Sequence, residues 1–90
     1  MNEFYANLDP DDAVDLEHLS RLMFELRRNL DALLEHWGVE DAEALLRGIQ
    51  LGELAEHPAY EHYLSARVLM QTRDEVREQL VQLTREINRR

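Results

Sequence analysis

Side chains that could bind a metal ion, or change their charge near neutral pH, are concentrated in two short segments of the chain. Three of the four histidines lie there, with the single tryptophan and two of the three tyrosines. These residues are His36, Trp37, His57, Tyr60, His62 and Tyr63. Glutamates accompany them at positions 35, 40, 53, 56 and 61. Imidazoles and carboxylates are ligands of zinc, iron and nickel, and histidine titrates close to neutral pH.

The spacing of these histidines does not match the known metal-binding patterns of helices. Di-iron bundles use Glu-x-x-His on facing helices, and Asp15-x-x-His18 is the nearest approximation in this chain. His57 and His62 are five positions apart, which separates them by about 140° around a helix. The sequence therefore predicts no metal-binding and no cofactor-binding residue. A metal-binding bundle that uses the His- and Glu-rich segments remains an alternative.

Catalytic motifs are poorly supported as well. The serines, Ser20 and Ser65, lie inside helical patterns without the glycine elbow of a nucleophile. The three glycines are isolated, so they form no phosphate-binding loop. We expect no catalytic residue and predict that the protein is not an enzyme.

The elements that must position these side chains follow from a regular series of mostly apolar residues. Successive members are spaced 3, 4, 3, 4, 3 and 4 positions apart: Leu16, Leu19, Met23, Leu26, Leu30, Leu33 and Trp37. This heptad spacing allows one helix to lie along another over its whole length. A second series near the C-terminus repeats it: Ala59, His62, Ala66, Leu69, Arg73, Val76, Leu80, Leu83 and Ile87.

Two polar residues interrupt the second series. His62 and Arg73 could form a buried polar pair that fixes register or partner choice. Alternatively, Arg73 lays its aliphatic stem along apolar surface and keeps its guanidinium in water. We favour the second interpretation.

Capping residues delimit the predicted helices. Asp9 and Pro10 start a helix over about residues 10–37, and Gly38 ends it in a left-handed conformation. A short helix follows at about 40–50, and Pro58 starts a third over about 58–88. The chain is thus predicted to be a single helical domain, 9–90, preceded by an N-terminal arm, 1–8. Part of this arm packs back, because Phe4, Tyr5 and Leu8 are apolar: residues 1–8 are not a purely solvated tail.

The two long helices have similar lengths, about 42 and 46 Å at 1.5 Å per residue, which favours an antiparallel hairpin. Residues 1–63 carry 15 acidic and 4 basic side chains, whereas 64–90 carry 4 and 6. An antiparallel return brings the arginines at 85, 89 and 90 towards the acidic residues at 9, 11, 12, 15 and 17.

A hairpin alone leaves apolar side chains uncovered beside the two series, namely Leu22, Leu34, Leu64, Val68 and Met70. The sequence therefore predicts an all-α fold of two long antiparallel helices with a short helix between them, completed as a bundle by homodimerisation. If the chain is a monomer, residues 39–56 must instead fold back to close a three-helix core.

Composition narrows the possible partners. The net charge of −9 argues against direct binding to nucleic acid or to anionic membranes. The chain has no cysteine, no signal-peptide pattern in its first twelve residues and no membrane-spanning run, so we expect a cytoplasmic protein. All ten basic residues are arginines, which is attributable to genome composition.

We predict a non-enzymatic adaptor or regulatory accessory subunit that binds an unidentified protein. Because tryptophan and tyrosine are enriched at interface hot spots, the expected interaction surface consists of Trp37, His57, Tyr60, His62 and Tyr63. A further alternative is an acidic protein that blocks the nucleic-acid-binding surface of its target.

Overall fold

The computed structural model describes residues 8–89, and in that range it contains three α-helices and no β-strand. Helix α1 spans Pro10–Trp37, α2 spans Ala42–Gln50 and α3 spans Glu56–Asn88. The predicted all-α fold of two long helices with a short one between them is confirmed. The prediction that Phe4 and Tyr5 pack back onto the helices falls outside the described residues.

Both predicted caps of α1 are present. The backbone N–H of Asp12 donates to Asp9 Oδ1 at 2.9 Å, which satisfies one of the free donors at the start of the helix. Gly38 adopts φ 66° and its N–H donates to the Glu35 carbonyl at 3.0 Å. This left-handed turn ends α1 directly after Trp37 and fixes where that indole ring emerges.

Helix α2 begins two residues later than the sequence predicted, because Asp41 caps it by accepting the Ala44 N–H at 2.7 Å. Gly48 lies inside it, where glycine normally costs about 1 kcal/mol relative to alanine. A Cβ atom at this position would lie 2.8 Å from Leu54 Cδ1. The N–H groups of Glu53 and Leu54 donate to the Gly48 carbonyl at 2.9 and 3.1 Å. The glycine thus lets the connector fold back closely against α2.

Helix α3 contains a break near its start. His57 has φ −113° and ψ 121°, outside the helical region, so the regular helix runs from Pro58. Proline is tolerated at the first position of a helix because its missing N–H would have no partner there. The predicted start of the third helix agrees with this break.

The two long helices run antiparallel. Trp37, at the end of α1, bonds His62 near the start of α3. Met23 and Leu26, nearer the start of α1, cluster instead with Val76, farther along α3. These contacts confirm the predicted hairpin.

The predicted ion pairs between the C-terminal arginines and the N-terminal acids stay a prediction, because Arg90 lies outside the described residues. Those formed within residues 8–89 are local: Arg21 with Glu17, His57 with Glu61, and Asp74 with both Arg73 and Arg77. Apolar packing between the helices and the short connection support the antiparallel orientation. Exposed ion pairs contribute less than about 1 kcal/mol in any case.

The residues of both heptad series are buried or half-buried. His62 and Arg73 do not pair, since they lie 11 residues, or about 16 Å, apart along one helix. His62 bonds Trp37, whereas Arg73 donates to the neighbouring Asp74 at 3.3 Å. The side chain of Arg73 is 24% exposed, which agrees with a buried stem and a guanidinium at the surface.

The hairpin divides into two parts of different thickness. In the turn half, residues 30–70, α2 packs mainly against α3 and completes a three-helix core. That core consists of Leu30, Ala42, Leu45, Ala59, Tyr63 and Ala66. In the tail half, residues 8–29 and 71–89, α1 and α3 pack without α2 around Met23, Leu26 and Val76. Asp12 and Ile87 are also buried, near the ends of α1 and α3.

The position of α2 bears on the side chains that a hairpin alone leaves uncovered. Leu34 and Met70 were expected to lack cover, but both pack against the three-helix core. Residues 39–56 fold back along the hairpin and cover both of them, as the alternative of a three-helix core predicted. Leu22, Leu64 and Val68 remain 41%, 44% and 60% exposed. The fold-back thus covers one side of the hairpin and leaves another open.

Candidate interaction surface

Trp37 and His62 form the only side-chain hydrogen bond between different helices within residues 8–89. The indole Nε1–H donates to His62 Nδ1 at 2.8 Å. Because an indole can only donate, Nδ1 must be unprotonated and the neutral ring carries its proton on Nε2. His36 adds a third ring, with its centroid 5.3 Å from that of Trp37 and 6.0 Å from that of His62.

The two tyrosines have different environments. Tyr63 is 6% exposed and belongs to the three-helix core, whereas Tyr60 is 42% exposed. Their ring centroids are 6.1 Å apart. The guanidinium of Arg67 lies 6.0 Å from the Tyr63 ring centroid, at the edge of cation–π range. Tyr60 therefore presents most of the aromatic surface that this pair offers to solvent.

His57 lies apart from the other rings, in the non-helical start of α3. Its Nδ1 is 2.7 Å from Glu61 Oε1, and its side chain is 86% exposed. The structure thus brings Trp37 together with His62, and Tyr60 together with Tyr63, but leaves His57 at the solvent side. The role of these five residues, which we call the turn-end surface, stays a prediction.

Residues 8–89 contain no group of three or more His, Cys, Asp or Glu side chains that could hold a metal ion. In the same range, no buried side-chain nitrogen or oxygen lacks a hydrogen-bond partner. The rings of His36 and His62 lie near each other, and His57 contacts Glu61, but the two pairs do not meet at a single site.

Two shallow depressions lie between α1 and α3, and we call them together the open groove. In the turn half and at its boundary with the tail half, where Asn29 lies, the lining is mostly apolar: Asn29, Leu33, Leu64, Ser65, Val68 and Leu69. Tyr60, Leu64 and Val68 are spaced by four residues, so the exposed ring of Tyr60 continues the apolar edge of this groove.

The tail half of the groove is acidic and polar. It is lined by Asp15, His18, Leu19, Glu78, Gln79, Gln82, Leu83 and Glu86. The two parts lie on one side of the hairpin, because lining residues recur two heptads apart. The recurring pairs are Asp15 with Asn29, Leu19 with Leu33, and Leu69 with Leu83.

Sequence reasoning identified Leu64 and Val68 as uncovered but did not connect them to a groove. The signal was the 14-residue recurrence, which follows both heptad series on one flank. Asn29 was missed altogether, since a single polar residue on an exposed helix carries no pattern of its own.

None of the helices within residues 8–89 is both long and apolar enough to cross a membrane. The chain belongs to the family described as the Uncharacterized protein MJ0235 family, whose model matches residues 12–88. No curated protein and no solved structure matches the chain.

Proposed function

We propose that this chain is a non-enzymatic helical protein that acts by binding another protein, as an adaptor or accessory regulatory subunit, and that it also associates with itself as a homodimeric bundle. The observation that carries the proposal is the open groove, whose turn half exposes apolar side chains along a length of helix. A cytoplasmic location is part of the proposal and rests on composition.

The apolar side chains of the groove reduce the stability of the isolated chain as long as they stay exposed to water. Burying a valine or leucine side chain completely is worth about 1.5–3 kcal/mol. Leu64 and Val68 are 44% and 60% exposed side by side, so a partner that covers both gains a substantial part of that free energy. Contiguous apolar patches of this kind are typical of interaction sites. Since α2 already covers the other flank of the turn half, the groove is where a second layer fits.

Self-association is tested by sedimentation velocity with Val68→Glu and a matched control, Val14→Glu. Val14 is 50% exposed but lies outside the groove, two heptads from Arg28 on the outward side of α1. We take the dissociation constant of the dimer to be about 1 μM. At about 10 μM protein, ten times that value, we expect the wild type and Val14→Glu to be dimers. Val68→Glu places a charge in the groove and should raise the dissociation constant more than about tenfold, or about 1.4 kcal/mol.

A monomeric wild type at that concentration contradicts the dimer. Equal dissociation constants for Val68→Glu and Val14→Glu place the contact elsewhere on the molecule. Circular dichroism of both variants checks that the helices are retained.

Binding to another protein is proposed for the turn-end surface, where Tyr60 and His57 reach solvent. The test is affinity capture from the native host with the wild type, with Tyr60→Ala and with Leu51→Ala as the matched control. Leu51 is 71% exposed, follows α2 directly and is not one of the turn-end residues. We expect Tyr60→Ala to reduce the captured partner severalfold and Leu51→Ala to leave it unchanged. Equal capture by both variants contradicts this placement.

A further inference from the structure

The hydrogen bond between Trp37 and His62 can form in only one protonation state of the histidine. The indole Nε1–H donates to His62 Nδ1 at 2.8 Å, and an indole nitrogen is a donor only. A protonated imidazole carries a hydrogen on both of its nitrogens, so two N–H groups would then face each other. We propose that the pair is a pH-sensitive switch at the turn of the hairpin: neutral His62 holds the indole, and protonated His62 releases it. This inference goes beyond partner binding and self-association and depends on neither.

Water reaches the ring of His62 from its other side. Nε2 has no hydrogen-bond partner among residues 8–89, and no side-chain nitrogen of that range is both buried and without a partner. Nε2 is therefore open to solvent, and the residue as a whole is half-buried. Because histidine changes its charge between about pH 5 and 8, a ring with this access to water can take up a proton while the helices stay folded.

The titratable groups on the two long helices leave the indole bond as the contact that a proton on His62 affects. His36, on α1, has its ring centroid 6.0 Å from that of His62. Glu61 precedes His62 in α3, but its carboxylate lies 2.7 Å from His57 Nδ1. Within residues 8–89, His62 takes part in no ion pair. A proton on His62 therefore gains no carboxylate partner there and removes the bond with the indole.

The remaining titratable groups near the turn lie on α2 and on the chain around its start. Glu43 of α2 lines a separate depression with Tyr63 and Arg67, and Asp41 accepts the Ala44 N–H as the cap of α2. Three others occupy exposed positions: Glu35, Glu40 and Arg47. No side chain of α2 or of the segment before it forms an ion pair with a histidine in the described part of the chain. The response to pH thus comes from the two long helices.

His57 provides a contrast within the same helix. Its Nδ1 lies 2.7 Å from Glu61 Oε1, and a carboxylate only accepts, so Nδ1 carries a hydrogen there. Protonation of His57 keeps this contact and adds a charge to it, whereas protonation of His62 removes the bond with Trp37. A fall in pH therefore strengthens one histidine contact at the start of α3 and breaks another about one turn later.

Release of the indole is a local change. Trp37 is the last residue of α1 and is half-buried, so its N–H can donate to water once His62 no longer accepts. Leu45, Ala59 and Ala66, in the core between the three helices, are 0% exposed and carry no titratable group. The switch therefore moves the indole while the helices keep their packing.

Nuclear magnetic resonance of the ¹⁵N-labelled full chain measures the switch directly, because the single tryptophan gives one indole N–H resonance. At about pH 8 we expect a scalar coupling across the hydrogen bond, between Trp37 Nε1 and His62 Nδ1. As the pH is lowered to about 5, the range in which histidine titrates, the coupling should disappear and the indole resonance should shift. Circular dichroism over the same range should show that the helices are retained.

His62→Asn separates this response from other effects of pH. Its amide oxygen lies close to the position of Nδ1 and accepts a hydrogen at every pH, so the indole resonance should no longer titrate. His36→Gln is the matched control, since it removes the neighbouring ring and should leave the titration in place. An indole resonance that ignores pH in the wild type, or that titrates equally in His62→Asn, overturns the proposal. A titration that is lost in His36→Gln but kept in His62→Asn assigns the response to His36 and overturns it as well.

The coupling in the wild type decides the question alone if His62→Asn loses its helices. Its presence at about pH 8 and its loss at about pH 5 support the switch. Its absence at the higher pH, or its persistence at the lower one, overturns the switch.

Discussion

The turn half and the tail half of the hairpin use the same two helices but differ in how completely they bury their side chains. In the turn half, Leu45, Ala59 and Ala66 are 0% exposed. In the tail half, Met23 and Leu26 retain 8% exposure and Val76 retains 4%, while Ile87 near the end of α3 is 0% exposed. Helix α2 carries Leu45 and packs over Ala59 and Ala66, whereas no third helix of the described residues packs beside Met23 and Leu26.

Residue size follows the same division. Ala42, Ala59 and Ala66, all 0–1% exposed, allow three helices to approach one another closely in the turn half. Along α3, the seam of the tail half has larger side chains instead, namely Val76, Leu80, Leu83 and Ile87. Truncation of a core side chain is therefore expected to leave a closed cavity in the turn half and a solvent-accessible depression in the tail half.

The largest expected effect is that of Leu45→Ala in the turn half. Because Leu45 is completely buried among three helices, truncation should destabilise the fold by about 3–5 kcal/mol, the upper part of the range for such substitutions. Urea unfolding followed by circular dichroism at fixed protein concentration measures it. Glu43→Ala, on the exposed side of the same helix, is the control and should change stability by less than about 0.5 kcal/mol.

Leu26→Ala should cost less, about 2–3 kcal/mol, since Leu26 lies in the two-helix part where solvent and side chains can adjust to the lost volume. The same unfolding experiment measures it. A cost equal to or above that of Leu45→Ala would contradict the difference between the halves. It would indicate that something, such as a second copy, closes the tail half as well.

The helices themselves were predictable from the sequence because their signals are local. Each signal depends on residues within two helical turns of one another. These signals are the heptad spacing, Asp9 before Pro10, and Gly38 after Trp37, and the structure confirms the helix features that each predicted. The side on which α2 packs was not predictable. Its apolar face, which includes Ala42 and Leu45, shows that it is buried but does not say against which flank of the hairpin.

Parts of the candidate site could not be predicted from the sequence, for a related reason. Trp37 and His62 each occupy a heptad position, but their hydrogen bond depends on the register of α1 against α3, which spacing alone leaves open. The open groove likewise follows from the position of α2, since the flank that α2 leaves uncovered becomes the groove.

Gly48→Ala tests how closely α2 and its connector must pack. The new Cβ would meet Leu54 Cδ1 at 2.8 Å and Cγ at 3.1 Å, so Leu54 must move out of its contact with the core. We expect a net loss of about 1 kcal/mol, because overpacking costs about 1–3 kcal/mol and alanine recovers up to about 1 kcal/mol of helix propensity.

A double-mutant cycle with Leu54→Ala isolates the steric term. With the leucine truncated, Gly48→Ala should become neutral or stabilising, as its propensity alone predicts. If Gly48→Ala stabilises the wild-type chain, the close approach of the connector is not maintained in solution, and the turn half is less tightly packed than its burial indicates.

The smallest expected effect concerns the hydrogen bond between Trp37 and His62, the polar contact that joins the two long helices at the turn. His62→Ala removes the acceptor and should cost about 1 kcal/mol, the usual net value of such a bond. Trp37 is the only tryptophan, so its emission should shift as the indole N–H loses its partner.

His57→Ala is the matched control, because His57 is exposed and contacts Glu61 rather than the indole. This variant should leave both the emission and the stability nearly unchanged. His62→Gln refines the result, since its amide oxygen can accept the same proton and should retain more of the wild-type emission than His62→Ala does. Identical spectra for wild type and His62→Ala would mean that the bond is not formed in solution, in which case apolar packing alone joins the two long helices at the turn.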